Sequence, residues 1–272
     1  MRLFRTLSQC TGTLLIAALT LPVHAETVDC TPVTSLPATI DTQGIYCLTA
    51  NLATSQTSGY AIHITANNVT LDLNGWKVGG QAAGTGTNTY GINSAANNVT
   101  IRNGIVRGFQ YGIWLTGRGA VVQDMLVDRN TTVGIYVNGQ GGVVEHNQVV
   151  DTGGSTASSN VQAVGIESDS GSVMITNNMV SGLTATGAGN EWGIYSGGAN
   201  STVRDNVLND TATPTGGGTS YGIYQNGAGI AVNNTVSNFV YGINNAGIYA
   251  HNTVYNCTTN YQGGTAGAGN SP

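Results

Sequence analysis

The chain has 272 residues, a formal net charge of −5 and only 8% charged residues, against about a quarter in ordinary globular domains. It has no basic run, which excludes nucleic acid as its partner. Ile, Val and Leu recur at fixed positions between Gly, Asn, Thr and Ser, which excludes a low-complexity disordered chain.

Residues 1–25 read as a signal peptide. Arg2 and Arg5 open it, Thr13–Leu21 is its apolar core, and Val23-His24-Ala25 is a small-residue cleavage site. The apolar stretch is too short to span a membrane, and the alternative is a buried first strand. The expected location is secreted or periplasmic. Cleavage leaves six basic and 13 acidic residues, a formal −7.

Residues 26–60 read as an N-terminal capping segment that covers the open end of the fold. Cys30 and Cys47 flank it, and in an exported chain they are expected to form a disulfide, the alternative being two buried thiols. Closing that loop contributes about 3 kcal/mol. Cys257 is left over and reads as a small buried side chain. Metal-ligand spacing is absent, and no cofactor is implied.

Residues 61–261 carry a repeat. Gly-Ile occurs at Gly91-Ile92, Gly112-Ile113, Gly134-Ile135, Gly165-Ile166, Gly193-Ile194, Gly222-Ile223 and Gly242-Ile243, with Ala61-Ile62 as a weaker first copy. Such a period marks stacked coils, each unable to bury its own apolar face. Twelve residues after the Ile stand Asn74, Gly104, Met125, Asn147, Asn178 and Asn206, and at shorter offsets Asn234 and Asn252. An apolar residue lies three before this position (Leu71 to Tyr249) and another two after it (Trp76 to Val254). The segments are short, alternate with period 2 and favour Val, Ile, Thr and Tyr, which excludes helices. The expected fold is all-β, a right-handed parallel β-helix (solenoid) of about eight rungs. Asn suits its turns by tolerating left-handed backbone, and stacked Asn side chains bond from rung to rung. His146 and His251 precede Asn columns and read as turn residues.

The run Gly44-Ile45-Tyr46-Cys47-Leu48, followed by Asn68-Val69-Thr70-Leu71-Asp72-Leu73-Asn74-Gly75, resembles the N-terminal entry of right-handed parallel β-helix proteins with a pectin-lyase-like fold. The later Asn-x-Val turns resemble the Asn ladders of that superfamily. The resemblance covers about 30–260 and implies the fold; the superfamily hosts lyases, hydrolases, epimerases, esterases and adhesins, so it implies no single activity.

The Asn-to-next-Ile distance varies, which places insertions at 79–89, 152–163, 183–191 and 211–220 on one edge. In solenoids that edge commonly borders the binding face. The residue after each inward Ile points out, giving a column of His63, Asn93, Trp114, Tyr136, Glu167, Tyr195, Tyr224 and Asn244, with Asp169 next outward on the Glu167 strand. Aromatic rings suit the apolar C–H faces of sugars, so His63, Trp114, Tyr136, Tyr195 and Tyr224 are the candidate ligand-binding residues. Glu167 and Asp169 are the candidate catalytic pair. The plainer alternative is a sheet surface held by cross-strand stacking at about 0.2–1 kcal/mol per pair. The aromatics preceding Gly (Tyr60, Tyr90, Tyr111, Trp192, Tyr221, Tyr241) share the parity of the inward Ile and read as core or corner packing.

The expected partner is therefore a polysaccharide or other cell-surface polymer bound on the first-strand face. The second possibility is a polysaccharide hydrolase or lyase centred on Glu167, paired with Asp169 or Glu191, or using Tyr136 or Tyr195 as base. The third is a structural or adhesive solenoid. The motifs the resemblance brings for polygalacturonases and alginate epimerases are missing, and Lys77 lies away from the aromatic row. Residues 262–272, rich in Gly and Ala, read as a flexible tail, and the uncovered last rung as a place for self-association.

Overall fold

The computed structural model describes residues 29–210, 214, 216–245 and 247–271. The expected signal peptide and part of the 211–220 insertion lie outside the described residues. All strand pairs are parallel, apart from one isolated antiparallel bridge between Val161 and Thr186. The chain coils as a parallel β-helix with three faces. The first face is a ten-stranded sheet that starts at Ala38–Ile40 and ends at Thr259–Gln262. The second and third faces merge into one 18-stranded sheet. They merge because Thr100–Arg107 and Val121–Asp128 each run through the corner between them as one strand.

Register follows the repeat. Ile62, Ile92, Ile113, Ile135, Ile166, Ile194, Ile223 and Ile243 pair in succession, and all are fully buried. Val122, Val144, Ile175 and Val203 line the second face from inside, and Val127, Val149, Val180 and Leu208 the third. In the first rung Val78, not Trp76, takes the third-face core position, opposite Val106. A turn at Asn74-Gly75, closed by Trp76 N–H on Leu73 O at 2.7 Å, delays the strand.

The Asn column divides its work between two residues. The residue before it takes the left-handed turn: Asp124, His146, Asn177, Asp205, Asn233 and His251 all have φ of 54–57°. The buried Asn then uses its side chain. Asn147, Asn178, Asn206, Asn234 and Asn252 each donate Nδ2 to the next Oδ1 along the stack, at 3.0–3.2 Å, ending on Asn270. Each Nδ2 also bonds a core-strand carbonyl, as Asn206 does to Ile175 O at 3.0 Å. Interior backbone groups that a tight turn would orphan are thereby satisfied.

Both ends extend the solenoid beyond the eight copies of the phrase. Cys30 and Cys47 form a disulfide, and Gly44–Leu48 pairs with Val69–Asp72, so the capping segment is itself a coil. Residues 262–272, expected as a tail, contain the strand Thr265–Ala266, paired with Ile248–Tyr249. Asn270 supplies the last ladder acceptor and explains the order: it reproduces the Asn position without an Ile phrase to announce it. Cys257 is half-buried.

Candidate functional site

The site is built on the first face, where the Gly of each phrase changes the geometry of its strand. A Cβ on Gly193 would lie 2.5 Å from Leu208 Cδ2 and 2.6 Å from Gly222 O, so Gly193 faces the core together with Ile194. Pairing skips it, running from Trp192↔Tyr221 to Ile194↔Ile223. Strict alternation is broken at each such Gly, and the residue before it turns outward. The expectation that Tyr60, Tyr90, Tyr111, Trp192, Tyr221 and Tyr241 pack inward is therefore corrected. None is in the core, and Tyr60 is 40% exposed. Two outward columns consequently run side by side.

These columns interlock. Tyr90 stacks on Tyr111 at 5.0 Å, and Trp114 meets both edge-on. Trp114 also stacks on Tyr136 at 3.9 Å. Tyr136 is only 6% exposed, so it is not the open platform its place in the column suggests. Its hydroxyl donates to Asp169 Oδ2 at 3.0 Å. Burial, then that hydrogen bond, pushes its hydroxyl pKa far above the usual tyrosine value, and burial raises Tyr195 too. Neither suits the role of general base at neutral pH. His63 stacks on Tyr60 at 4.6 Å and bonds Asn93 at 2.9 Å. It lies four strands from Glu167, about 19 Å away at normal strand spacing.

Beyond Tyr136 the pattern opens. Trp192, Tyr195, Tyr221, Tyr224, Glu167, Asp169, Gln162 and Asn190 line one groove of about 380 Å³. Tyr195 and Tyr224 stack at 5.5 Å and 9°, and Tyr221 stands edge-on to Tyr224 at 5.1 Å. Hydrogen bonds join the insertions to one another. Ala188 N–H donates to Asn160 Oδ1 at 2.7 Å and Thr219 N–H to Asn190 Oδ1 at 2.9 Å. Thr156 N–H reaches back to Thr85 O at 3.1 Å. The loops stack on one another and bring Gln162 and Asn190 to the groove.

Glu167 is pushed up to about 7 by burial and then by the nearby Asp169. Glu191, the other candidate partner, does not serve the groove. It is 1% exposed and accepts the Ala185 N–H at 2.9 Å, anchoring the base of its loop. Burial pushes it up to about 7 as well. Among the described residues no cluster of three or more His, Cys, Asp or Glu could hold a metal.

Of the residues picked out by sequence, the structure joins Glu167, Asp169, Tyr195 and Tyr224. Tyr136 sits behind Asp169, Trp114 behind Tyr136, and His63 is remote. Trp192, Tyr221, Gln162 and Asn190 were missed. The two aromatics were visible as a column, but the parity rule turned them inward.

No protein-family model matches the chain, and no curated protein matches it. Among solved structures it is similar to the Dettilon tailspike protein, with TM-score 0.57 and 17% identity over 82% of this chain and 46% of that one. It thus spans about half the length of that protein. Weaker likenesses are to pectate lyase Pel9A, with TM-score 0.45 and 16% identity over 88% and 69% of the two chains, and to the tailspike of E. coli bacteriophage HK620, solved with a pentasaccharide, with TM-score 0.46 and 12% identity over 87% and 52%. At these identities the likeness is one of fold, the parallel β-helix.

Proposed function

We propose that this is a secreted or periplasmic protein that binds a carbohydrate in the groove beside Glu167. One observation carries the reading. Four aromatic side chains, two carboxyls and two amides converge on a single groove of about 380 Å³. Aromatic faces take the C–H faces of sugar rings, and carboxyls and amides take hydroxyls. That volume suits one or two sugar units, and the remaining aromatics toward Tyr60 extend the same face along the axis. The test is retention on polysaccharide affinity gels. Replacement of Tyr195 and Tyr224 by Ala should abolish it; unchanged retention with a folded variant would put the binding outside the groove and overturn this reading of it.

A specific observation favours a second reading, glycoside hydrolysis. Glu167 is pushed up to about 7 by burial and by Asp169, the second carboxyl lying just past the end of its strand, Ala163–Ser168, which is what a general acid and its partner carboxylate require. A lyase is less well supported, because Tyr136 is tied to Asp169 and, among the described residues, no lysine or arginine lines the groove. New reducing ends that disappear in Glu167→Gln would establish hydrolysis; their absence across a panel of neutral polysaccharides would leave binding alone.

A further inference from the structure

Resting on the carbohydrate-binding reading, we infer that the groove selects sugars bearing a positively charged amine and rejects uronates. The only acidic side chains among the lining residues are Glu167 and Asp169, and none of these residues is basic. All six lysines and arginines between residues 29 and 271 lie elsewhere. Arg102 pairs with Asp72 at 2.9 Å and Arg107 with Asp128 at 2.7 Å, on the second and third faces. Arg129 lies 3.8 Å from Asp151 and Arg204 3.1 Å from Asp205. Lys77 is on the third face, in Lys77–Gly79, and Arg118 is in the turn after Tyr111–Leu115. A uronate carboxylate in the groove would therefore meet two carboxyls and no cation.

An ammonium has the opposite fit. It offers three N–H donors, and the groove is short of charged donors but rich in acceptors. Asp169 Oδ2 accepts only from Tyr136, and Asp169 itself is exposed. Among the described residues no hydrogen bond holds the Glu167 carboxyl. The rings of Trp192, Tyr195 and Tyr224 line the same groove as both carboxyls, and a cation over an aromatic face gains further attraction. A bound ammonium favours the ionised form of Glu167, opposing the burial and the Asp169 charge that raise its pKa.

The experiment is calorimetric titration of the folded chain with three oligomers of one length, in slightly acidic buffer. These are oligoglucosamine, its N-acetylated form and oligogalacturonate. Oligoglucosamine should bind at least about tenfold tighter than the N-acetylated form, and oligogalacturonate should bind weakest. Glu167→Gln with Asp169→Asn should remove the preference, so that oligoglucosamine and its N-acetylated form bind with equal affinity. The chain is acidic overall, so Tyr195→Ala with Tyr224→Ala serves as a control of unchanged charge. If that variant keeps the amine preference, the surface and not the groove is responsible, and the inference fails. Equal or tighter binding of oligogalacturonate also overturns it while sparing the carbohydrate reading. Binding of none of the three overturns both.

Discussion

The Tyr136 hydroxyl donates to Asp169 Oδ2 at 3.0 Å, joining the packed aromatic end of the first face to the open groove. Asp169 is thereby held toward Glu167 by a side chain from the preceding rung. Tyr136→Phe keeps the stacking on Trp114 and removes only this bond. It should cost about 1.5–3 kcal/mol of stability, as expected for a hydrogen bond to a charged group. It should also weaken ligand binding, because Asp169 loses its tether. Denaturant unfolding and titration of one ligand on both proteins measure the two effects.

Glu191 gives a pH dependence with a definite sign. Its folded value, about 7, lies above the ordinary 4.5. Stability is therefore fully present below about pH 4.5 and falls as pH rises to about 7, because the folded state must release a proton it holds in a buried site. The full effect is on the order of 3 kcal/mol. Glu191→Gln keeps an acceptor for Ala185 N–H and should flatten that part of the curve, read as melting temperature between pH 4 and pH 8. Glu167 contributes a slope of the same sign, so the wild-type curve should keep some slope in the Gln variant.

Gly193→Ala tests the origin of the phrase. The new Cβ meets Leu208 Cδ2 at 2.5 Å and Gly222 O at 2.6 Å, and the backbone carbonyl cannot move aside without disturbing the next rung. A loss of about 1–3 kcal/mol is expected. Ala at Gly75, where nothing lies within 4 Å but φ is 76°, is destabilising by backbone strain instead. Comparison of the two by urea unfolding separates packing from strain.

Asn206→Ala removes one link of the ladder. Asn206 Oδ1 accepts from Asn178 N–H at 2.9 Å and Nδ2 at 3.0 Å, and its own Nδ2 donates to Ile175 O and Asn234 Oδ1 at 3.0 Å. Buried donors and acceptors left without partners cost about 1–3 kcal/mol each, so a total loss of at least about 2 kcal/mol is expected. Hydrogen exchange should show faster opening in the rungs of Asn178 and Asn234 than at either end.

Much of the scaffold is legible in the sequence because stacking requires repetition. Each Ile must lie over the next, so the phrase Gly-Ile and its offset to the Asn column reveal coil, register and core. Asn178 and Glu167 were found for this reason. Trp192 and Tyr221 were read as facing the wrong way because period-2 alternation holds only along an unbroken strand. The Gly tucked against the neighbouring carbonyl interrupts it, and that close approach is a property of two rungs together. Asn270 was missed because its rung lacks the phrase.

The sequence by itself determined a parallel coil with an inward Ile, an Asn ladder and insertions on one edge. These follow from periodicity, which each rung states locally. Only the tertiary structure decided that two of the insertions bring Gln162 and Asn190 to the groove, that Tyr136 packs closed while Tyr195 and Tyr224 line the groove, and that Glu191 is buried in its loop. Only there did Glu167 acquire a raised pKa. The physical reason is that desolvation and groove shape depend on which non-repeating side chains from different rungs meet, and no periodic pattern specifies that.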